Sequence, residues 1–337
     1  VTSALPFDTE MLAPDAAGMN RAAQLLCAGS CVAFPTETVY GLGADATDPR
    51  AVAGIYEAKG RPRFNPLIAH VADLAAAERE GVFTDDARRL AEAFWPGPLT
   101  LVVPLAATAQ VCDLARAGLS SIALRVPDHP IAQDLLRRVG RPLAAPSANP
   151  SGRISPTDAD HVRRDLEGRI AAVLDGGPAR VGLESTIVAC LAEGPRLLRP
   201  GGLDRAAIEA VLGHRLAGSD GPAHADVTND NAGLIAPGML SSHYAPRARV
   251  RLDVDAIMPG EAALLFGPDG LPGIDQACAM RNLSESGDLR EAAANLFSHL
   301  RVLDETGATG IAVAPVPSRG LGEAIRDRLT RAAADRG

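Results

Sequence analysis

Of the 33 basic residues in this 337-residue chain, one is a lysine, Lys59, and the other 32 are arginine. A chain so biased uses arginine wherever a plain positive charge will do. A lone lysine therefore suggests a task for a compact ammonium on a flexible stem, not for a planar fork. The ordinary alternative is a chance lysine on a solvated helix face. Its neighbours favour chemistry. Lys59, Arg61 and Arg63 place three cations in five residues, and Asn65-Pro66 then leads into the apolar run Leu67-Ile68-Ala69. Three cations at the end of a helix, beside a strand, can form a polyphosphate clamp.

Just upstream, Gly41-Leu42-Gly43-Ala44-Asp45-Ala46 fits the dinucleotide pattern G-x-G-x-x-G/A. That pattern needs a helix opening directly on it. Here the next helix signal comes later, with Asp48 as N-cap and Pro49 at the first helical position. The two glycines are read as turn residues that let backbone approach a ligand. No P-loop, Ser-His-Asp signature or H-E-x-x-H zinc pattern competes.

Further segments follow in order. After PTETVYGLG (35–43), AKGRP (58–62) and NPLIAHV (65–71) come Trp95-Pro96-Gly97-Pro98-Leu99-Thr100, IALRVP (122–127), APSAN (145–149), GLESTIV (182–188) and LRPG (198–201). Over about two thirds of the chain this set resembles the YrdC-like family, specifically its long, two-domain threonylcarbamoyl-AMP synthases. The family's paired signature, K-x-R with S-x-N, stands here as Lys59/Arg61 and Ser147/Asn149. The resemblance implies a reaction of L-threonine, bicarbonate (or carbon dioxide) and ATP. Its products are threonylcarbamoyl-AMP and pyrophosphate, and it serves modification of the tRNA adenosine beside the anticodon. Phosphoryl-type transfer is mostly positioning and charge neutralisation, so a triphosphate clamp and an amino-acid pocket would suffice.

By the same resemblance, Lys59, Arg61, Asn65, Ser121, Ser147, Asn149, Ser155 and Arg199 would contact ATP, with Lys59 and Arg61 acting in catalysis. Thr38, His70, Arg125, Ala145 and Ser185 would form the threonine pocket. Arg125 follows an apolar strand, so its guanidinium is held near a core and needs an anion; this is either the threonine carboxylate or an internal salt bridge. Alone, Ser147 and Asn149 would read as an ordinary turn, and His70 as a structural residue. Mg2+ is expected with ATP, held mainly by phosphate oxygens and water. Glu37 or Glu184 could contribute to it, but orienting neighbouring groups is the favoured reading for both. A long-form G-M-x-x-x-H-Y-x-P segment matches residues 238–246. It implies a lid over ATP, with His243 or Tyr244 touching the nucleotide. A downstream tRNA threonylcarbamoyl transferase would receive the product.

Capping and apolar runs indicate the elements that carry these groups. Helices are expected from Asp15 to near Gly29, at 49–59, after Asp73, after Asp85, at 130–138, after Thr157 to Leu166, and at 203–212. Strands are expected at 31–34, 67–71, 99–103, 122–126, 143–145, 171–174, 185–191 and 196–198. The mixture predicts an α/β fold: a YrdC-like twisted mixed sheet with helices, plus a smaller Rossmann-like α/β C-terminal domain. Periodicity breaks between His214 and Tyr244. Strands at 250–254, 262–266 and 311–315 then alternate with helices at 288–304 and 321–334. The expected division is a catalytic domain over 1–215, a linker or active-site lid over 216–247 and the small domain over 248–337.

The formal net charge of −8 opposes a stand-alone nucleic-acid binder, so no stable nucleic-acid partner is expected. No apolar run is long enough to span a membrane and no signal peptide is read. Five unpatterned cysteines read as reduced thiols of a cytoplasmic protein. Two other readings are weighed. An RNA-binding or ribosome-assembly module of this fold would want a basic surface and stacking aromatics, which are scarce here. A hydrogenase-type carbamoyl transfer factor would carry zinc-finger cysteines and acylphosphatase-like segments, which this chain lacks.

Overall fold

The computed structural model describes residues 8–62, 64–217 and 243–334. A short β1 (Glu10–Leu12) leads to α1 (Ala16–Cys27), whose start is fixed by the Asp15 carboxylate accepting from the Gly18 amide. β2 (Val32–Phe34) and β3 (Gly41–Asp45) then pair antiparallel across the 35–40 loop. This corrects the reading of Gly41 and Gly43 as turn residues. Both lie inside a buried strand, and a Cβ on Gly43 would come within 2.7 Å of the Phe34 ring. Gly43 makes room for that aromatic face, and Gly41 for the Ala145 methyl at 3.2 Å.

α2 (Pro49–Lys59) starts on the Asp48 cap and ends at Gly60, whose left-handed backbone (φ 58°) turns the chain toward Arg61. β4 (Ile68–His70), α3 (Leu74–Glu80) and α4 (Asp85–Phe94) follow. The cap of α4 is Thr84, where the sequence suggested Asp85. Next come β5 (Leu99–Pro104), α5 (Asp113–Arg116), β6 (Ser121–Arg125), α6 (Pro130–Val139) and β7 (Leu143–Ala144). α7 (Ala159–Leu166) is capped by Asp158 in place of the expected Thr157, which is buried beneath it. β8 (Ala172–Leu174), β9 (Thr186–Leu191), β10 (Gly194–Arg199) and α8 (Arg205–Leu212) complete this part.

Among the described residues these ten strands form one mixed sheet, in the order β1-β8-β2-β3-β7-β4-β6-β5-β9-β10. Alternate residues of each strand face opposite sides. Ala33, Leu101, Leu124 and Val173 enter one core with Val52, Ile55, Leu90 and Ile208 from α2, α4 and α8. Val32, Phe34, Ala172 and Leu174 face the other way, under α1 and α6. That second helical layer stops halfway across the sheet. Over the remaining strands, Ile68, Val102, Ala123, Ile187 and Ala189 form a cluster that no helix side chain among the described residues joins. This half-face is the floor of the groove described below.

Beyond the break, β11 (Arg249–Arg251), β12 (Ala262–Leu265), β13 (Ala279–Asn282), α9 (Leu289–Asp304), β14 (Gly310–Val313) and α10 (Gly322–Ala333) form a second unit. Its four strands are all parallel, in the order β11-β14-β12-β13, as expected of a Rossmann-like layer. The unit docks through its own core. Leu296 and Leu300 of α9 share one apolar cluster with Val39, Ile154 and Leu183 of the first unit. At Gly182 (φ 72°) a Cβ would come within 2.5 Å of the α9 backbone, so only glycine allows this approach. Arg301 of α9 seals the contact through Asp165 at 2.6 Å. Residues 218–242, which hold most of the expected 216–247 segment, lie outside the described residues, as does Arg63.

Candidate active site

The uncovered half-face opens into a cavity of about 520 Å³, measured out to its mouth. β4 and β6 run parallel side by side, with His70 opposite Arg125. The pleat places Ser121, Ala123 and Arg125 on one face of β6. Arg125, His70, Thr38, Ala145 and Ser185 all line the cavity. Thr38 sits in a turn built by Thr36, whose hydroxyl donates to the Val39 carbonyl and accepts from the Thr38 amide. The Ser185 hydroxyl lies 2.7 Å from that of Thr100. His70 is wedged edge-on against Phe34, the ring that Gly43 admits. Its Nδ1 faces the Ile68 carbonyl at 3.3 Å, which assigns the proton to Nδ1 in the neutral ring.

Arg125 makes the internal salt bridge that was one of the two alternatives raised by the sequence. Its Nη2 donates to Glu37 Oε1 at 2.6 Å in a fully buried ion pair, and its Nε donates to the Gly97 carbonyl. Its Nη1 makes no hydrogen bond to the described residues, so the guanidinium keeps donors for a second carboxylate. Glu37 thus orients its neighbour, as the sequence favoured.

The other end of the cavity is cationic. Arg61, Ser147, Arg199, His243 and Tyr244 line it. A β-bulge explains Arg199. β10 pairs regularly with β9 as far as Leu197 opposite Val188, then the register slips so that Arg199 sits opposite Ile187. The slip turns Arg199 from the helix-covered side onto the groove side. Its Nη2 donates to the Ser185 carbonyl at 2.8 Å. Arg61 follows the Gly60 turn and is braced by the carbonyls of Asn65 and Pro66.

Lys59, Asn65, Ser121, Asn149 and Ser155 do not line the cavity themselves. Lys59 is buried and its Nζ donates to the carbonyls of Ser147 and Asn149, while its own carbonyl accepts from the Ser151 amide. It therefore laces the S-x-N loop to the end of α2, and this is how the two halves of the signature meet. Asn149 donates to the Pro150 and Arg153 carbonyls. Both side-chain polar atoms of Asn65 and the Oδ1 of Asn149 are buried without partners among the described residues. Such orphaned groups are costly unless a ligand or water meets them. Ser121 lies on the groove face of β6, two residues before Ala123, the neighbour of Ile68. That puts it on the Arg61 side, away from Arg125.

Ser155 is reached through an acid. Its hydroxyl donates to Glu184 Oε1 at 2.5 Å, and Glu184 Oε2 accepts from Arg328 Nε at 2.7 Å. Glu184, like Glu37, orients other groups. Arg328 was not singled out from the sequence. The signal was there, since Ile325, Arg328, Leu329 and Ala332 recur on one helical face, and an arginine within an apolar stripe needs a buried anion.

The electrostatics follow from burial. Burial and then the neighbouring Arg61 push the Lys59 ammonium well below the usual lysine range. Burial lowers Arg61 to about 10, still charged at neutral pH. Burial also lowers His70 and His243 to about 3 each, so both rings are neutral. For Glu184, burial pushes up, but Arg328 and Arg199 outweigh it and hold the carboxyl at about 2.

These shifts set a stability window. An unfolded histidine titrates near 6.5, so the folded chain binds fewer protons at His70 and His243 between that pH and about 3. Their contribution is complete above pH 6.5 and lost as pH falls toward 3. Glu184 adds a loss from 4.5 down to about 2. The denaturation midpoint in urea should therefore drop between pH 7.5 and 5.5, before ordinary carboxylates titrate. A midpoint flat across that interval would contradict the neutral-imidazole assignment.

A mixed-sheet domain whose cavity runs from a buried arginine to a cationic end, with a Rossmann-like unit docked beside it, has the architecture of a YrdC-like enzyme. Residues 24–201 match the Sua5/YciO/YrdC family model, described as telomere recombination. Residues 203–334 match the model described as threonylcarbamoyl-AMP synthase, C-terminal domain. The threonylcarbamoyl-AMP synthase of Bacillus subtilis is 41% identical, covering 97% of this chain and 96% of that protein. Its Pyrococcus abyssi counterpart is 42% identical over 92% of each. The crystal structure of P. abyssi Sua5 complexed with L-threonine superposes with a TM-score of 0.82 at 36% identity, covering 96% of this chain and 97% of that one. The chain belongs to the Sua5 family of threonylcarbamoyl-AMP synthases, which are nucleotidyltransferases.

Proposed function

We propose that this protein condenses L-threonine, bicarbonate or carbon dioxide, and ATP into L-threonylcarbamoyl-AMP, with release of pyrophosphate and, where bicarbonate is the carbon source, of water. The product would pass to a tRNA threonylcarbamoyl transferase acting on the adenosine beside the anticodon. One observation carries the reading. A single cavity joins a carboxylate-seeking end at Arg125 to a polyphosphate-seeking end at Arg61 and Arg199.

At the first end, Arg125 Nη1 takes the threonine carboxylate. Thr38, Ser185 and the neutral His70 surround the rest of the amino acid. The unprotonated His70 Nε2 can accept a hydrogen bond from the amine; burial holds this ring at about 3, so the proton that the amine must lose before it attacks carbon dioxide leaves to solvent and does not stay on His70. The carbamate oxygen then attacks the α-phosphorus, and the bond to the β-phosphate oxygen breaks. Arg61, Arg199 and the Lys59-laced loop 147–149 hold the phosphates in line and take up the charge on the departing pyrophosphate. Magnesium enters as part of the MgATP substrate and neutralises phosphate charge. Among the described residues no group of three or more His, Cys, Asp or Glu could hold an ion. An ion brought in with ATP would be held mainly by phosphate oxygens and water. His243 and Tyr244 close the phosphate end, consistent with a water-excluding cover for a labile anhydride.

Pyrophosphate release from ATP should require both threonine and bicarbonate. Serine should work less well, because its missing methyl is worth only about 1–3 kcal/mol in an apolar corner. Equal release with threonine or bicarbonate omitted would sink the proposed reaction.

A further inference from the structure

The geometry assigns a positioning role to Arg328: it is the buried counter-charge through which the C-terminal unit holds Glu184 and Tyr244 in the wall of the ATP site, with Ser155 tied behind Glu184. Arg328 belongs to α10, yet its side chain is wholly buried at the catalytic cavity. Each part of the guanidinium is used. Nε meets Glu184 at 2.7 Å, Nη2 donates to the Pro200 carbonyl at 3.0 Å, and Nη1 pairs with Asp327. The plane lies 5.0 Å from the centre of the Tyr244 ring, which is stacked on Phe297 of α9. Tyr244 is thus held between two helices of the second unit, in a left-handed backbone conformation (φ 62°) that a tyrosine rarely adopts.

A buried ion pair is a poor device for stability alone, because well-packed apolar residues often do as well. Here it fixes cavity groups. Glu184 and Tyr244 both line the cavity, and the other Glu184 oxygen holds Ser155. The C-terminal unit is therefore part of the catalytic apparatus through one side chain. This inference rests on the reading of the cationic end as an ATP site.

The groups facing Glu184 come from several elements: Arg328 from α10, Arg199 from β10, Lys59 from α2, and His243 and Tyr244 from the segment between the units. Loss of Arg328 removes the foremost charge opposing burial, so the carboxyl rises toward the working range. The test uses full-length Arg328→Met, Arg328→Lys and, as control, Arg326→Met. Arg326 lies on the same helix but in a half-exposed pair with Asp253. ATP is titrated calorimetrically without threonine from pH 5 to 8, and pyrophosphate release is followed in parallel.

Arg328→Met should weaken ATP about tenfold or more, the loss typical of a charge-assisted contact. The KM for threonine should stay within about twofold, since the Arg125 end is untouched. The acid limb of ATP binding should move to higher pH. Arg328→Lys should return the acid limb to its wild-type place while ATP affinity stays low, because a point charge cannot make the three contacts of the fork. Arg326→Met should match wild type. A folded Arg328→Met with wild-type ATP affinity and acid limb would overturn the inference. If that variant does not fold, wild-type ATP affinity in Arg328→Lys would overturn it equally. Wild-type protein that binds no ATP would instead sink the functional reading itself.

Discussion

Changing Lys59 to arginine should cost most of the activity, about a hundredfold or more, although one basic side chain replaces another. The buried Nζ donates to the Ser147 and Asn149 carbonyls, and the lysine carbonyl accepts from Ser151. A guanidinium is longer and planar. It would push the 147–149 loop outward, with a strain of roughly 1–3 kcal/mol for an overpacked site. It would also displace Ser147 from the cavity wall, where phosphate positioning is decided. In a chain with 32 arginines, retention of one lysine at this spot is explained by that close fit. Initial rates of pyrophosphate release, with a melting curve to establish folding, would check it. Near wild-type turnover would show that Lys59 is incidental.

The second large effect is expected at Arg125. Arg125→Met should raise the KM for threonine about a hundredfold, as for loss of one partner of a buried charge pair. It should also destabilise the fold by roughly 3–5 kcal/mol, because Glu37 is left charged and buried without its partner. The two effects can be separated. Adding Glu37→Gln removes the stranded charge, so the double variant should regain much of the stability and little of the threonine affinity. Recovery of both would mean that Arg125 serves only the fold.

Local rules made much of this legible in advance. Asp15, Asp48 and Asp73 cap the helices that the sequence assigned to them, and the buried strands are continuous apolar runs. Arg61, Ser147, Arg199, Arg125, His70, Thr38, Ala145 and Ser185 all come to one cavity although they span some 160 residues of chain. What sequence did not give was set by distant partners. Gly41 and Gly43 read locally as turn residues; the Phe34 ring from the neighbouring strand accounts for Gly43, and the Ala145 methyl, 3.2 Å from a Cβ on Gly41, for the other. The orientation of Arg199 depends on a one-residue slip against β9, which no local pattern announces. Arg328 lies about 140 residues after the acid it serves, and its meaning appears only when the second unit docks. β1, α5 and β13 were missed because runs of three or four residues carry little periodic signal.

The central claim is that one cavity joins threonine carbamate to the α-phosphate of ATP. The most direct test is mass spectrometry of a mixture of the protein, MgATP, threonine and isotopically labelled bicarbonate. The account predicts an adenylate that contains threonine, one labelled carbonyl carbon and AMP, and that disappears when any one substrate is withheld. Pyrophosphate release without that species, or an adenylate of threonine lacking the labelled carbon, would contradict it.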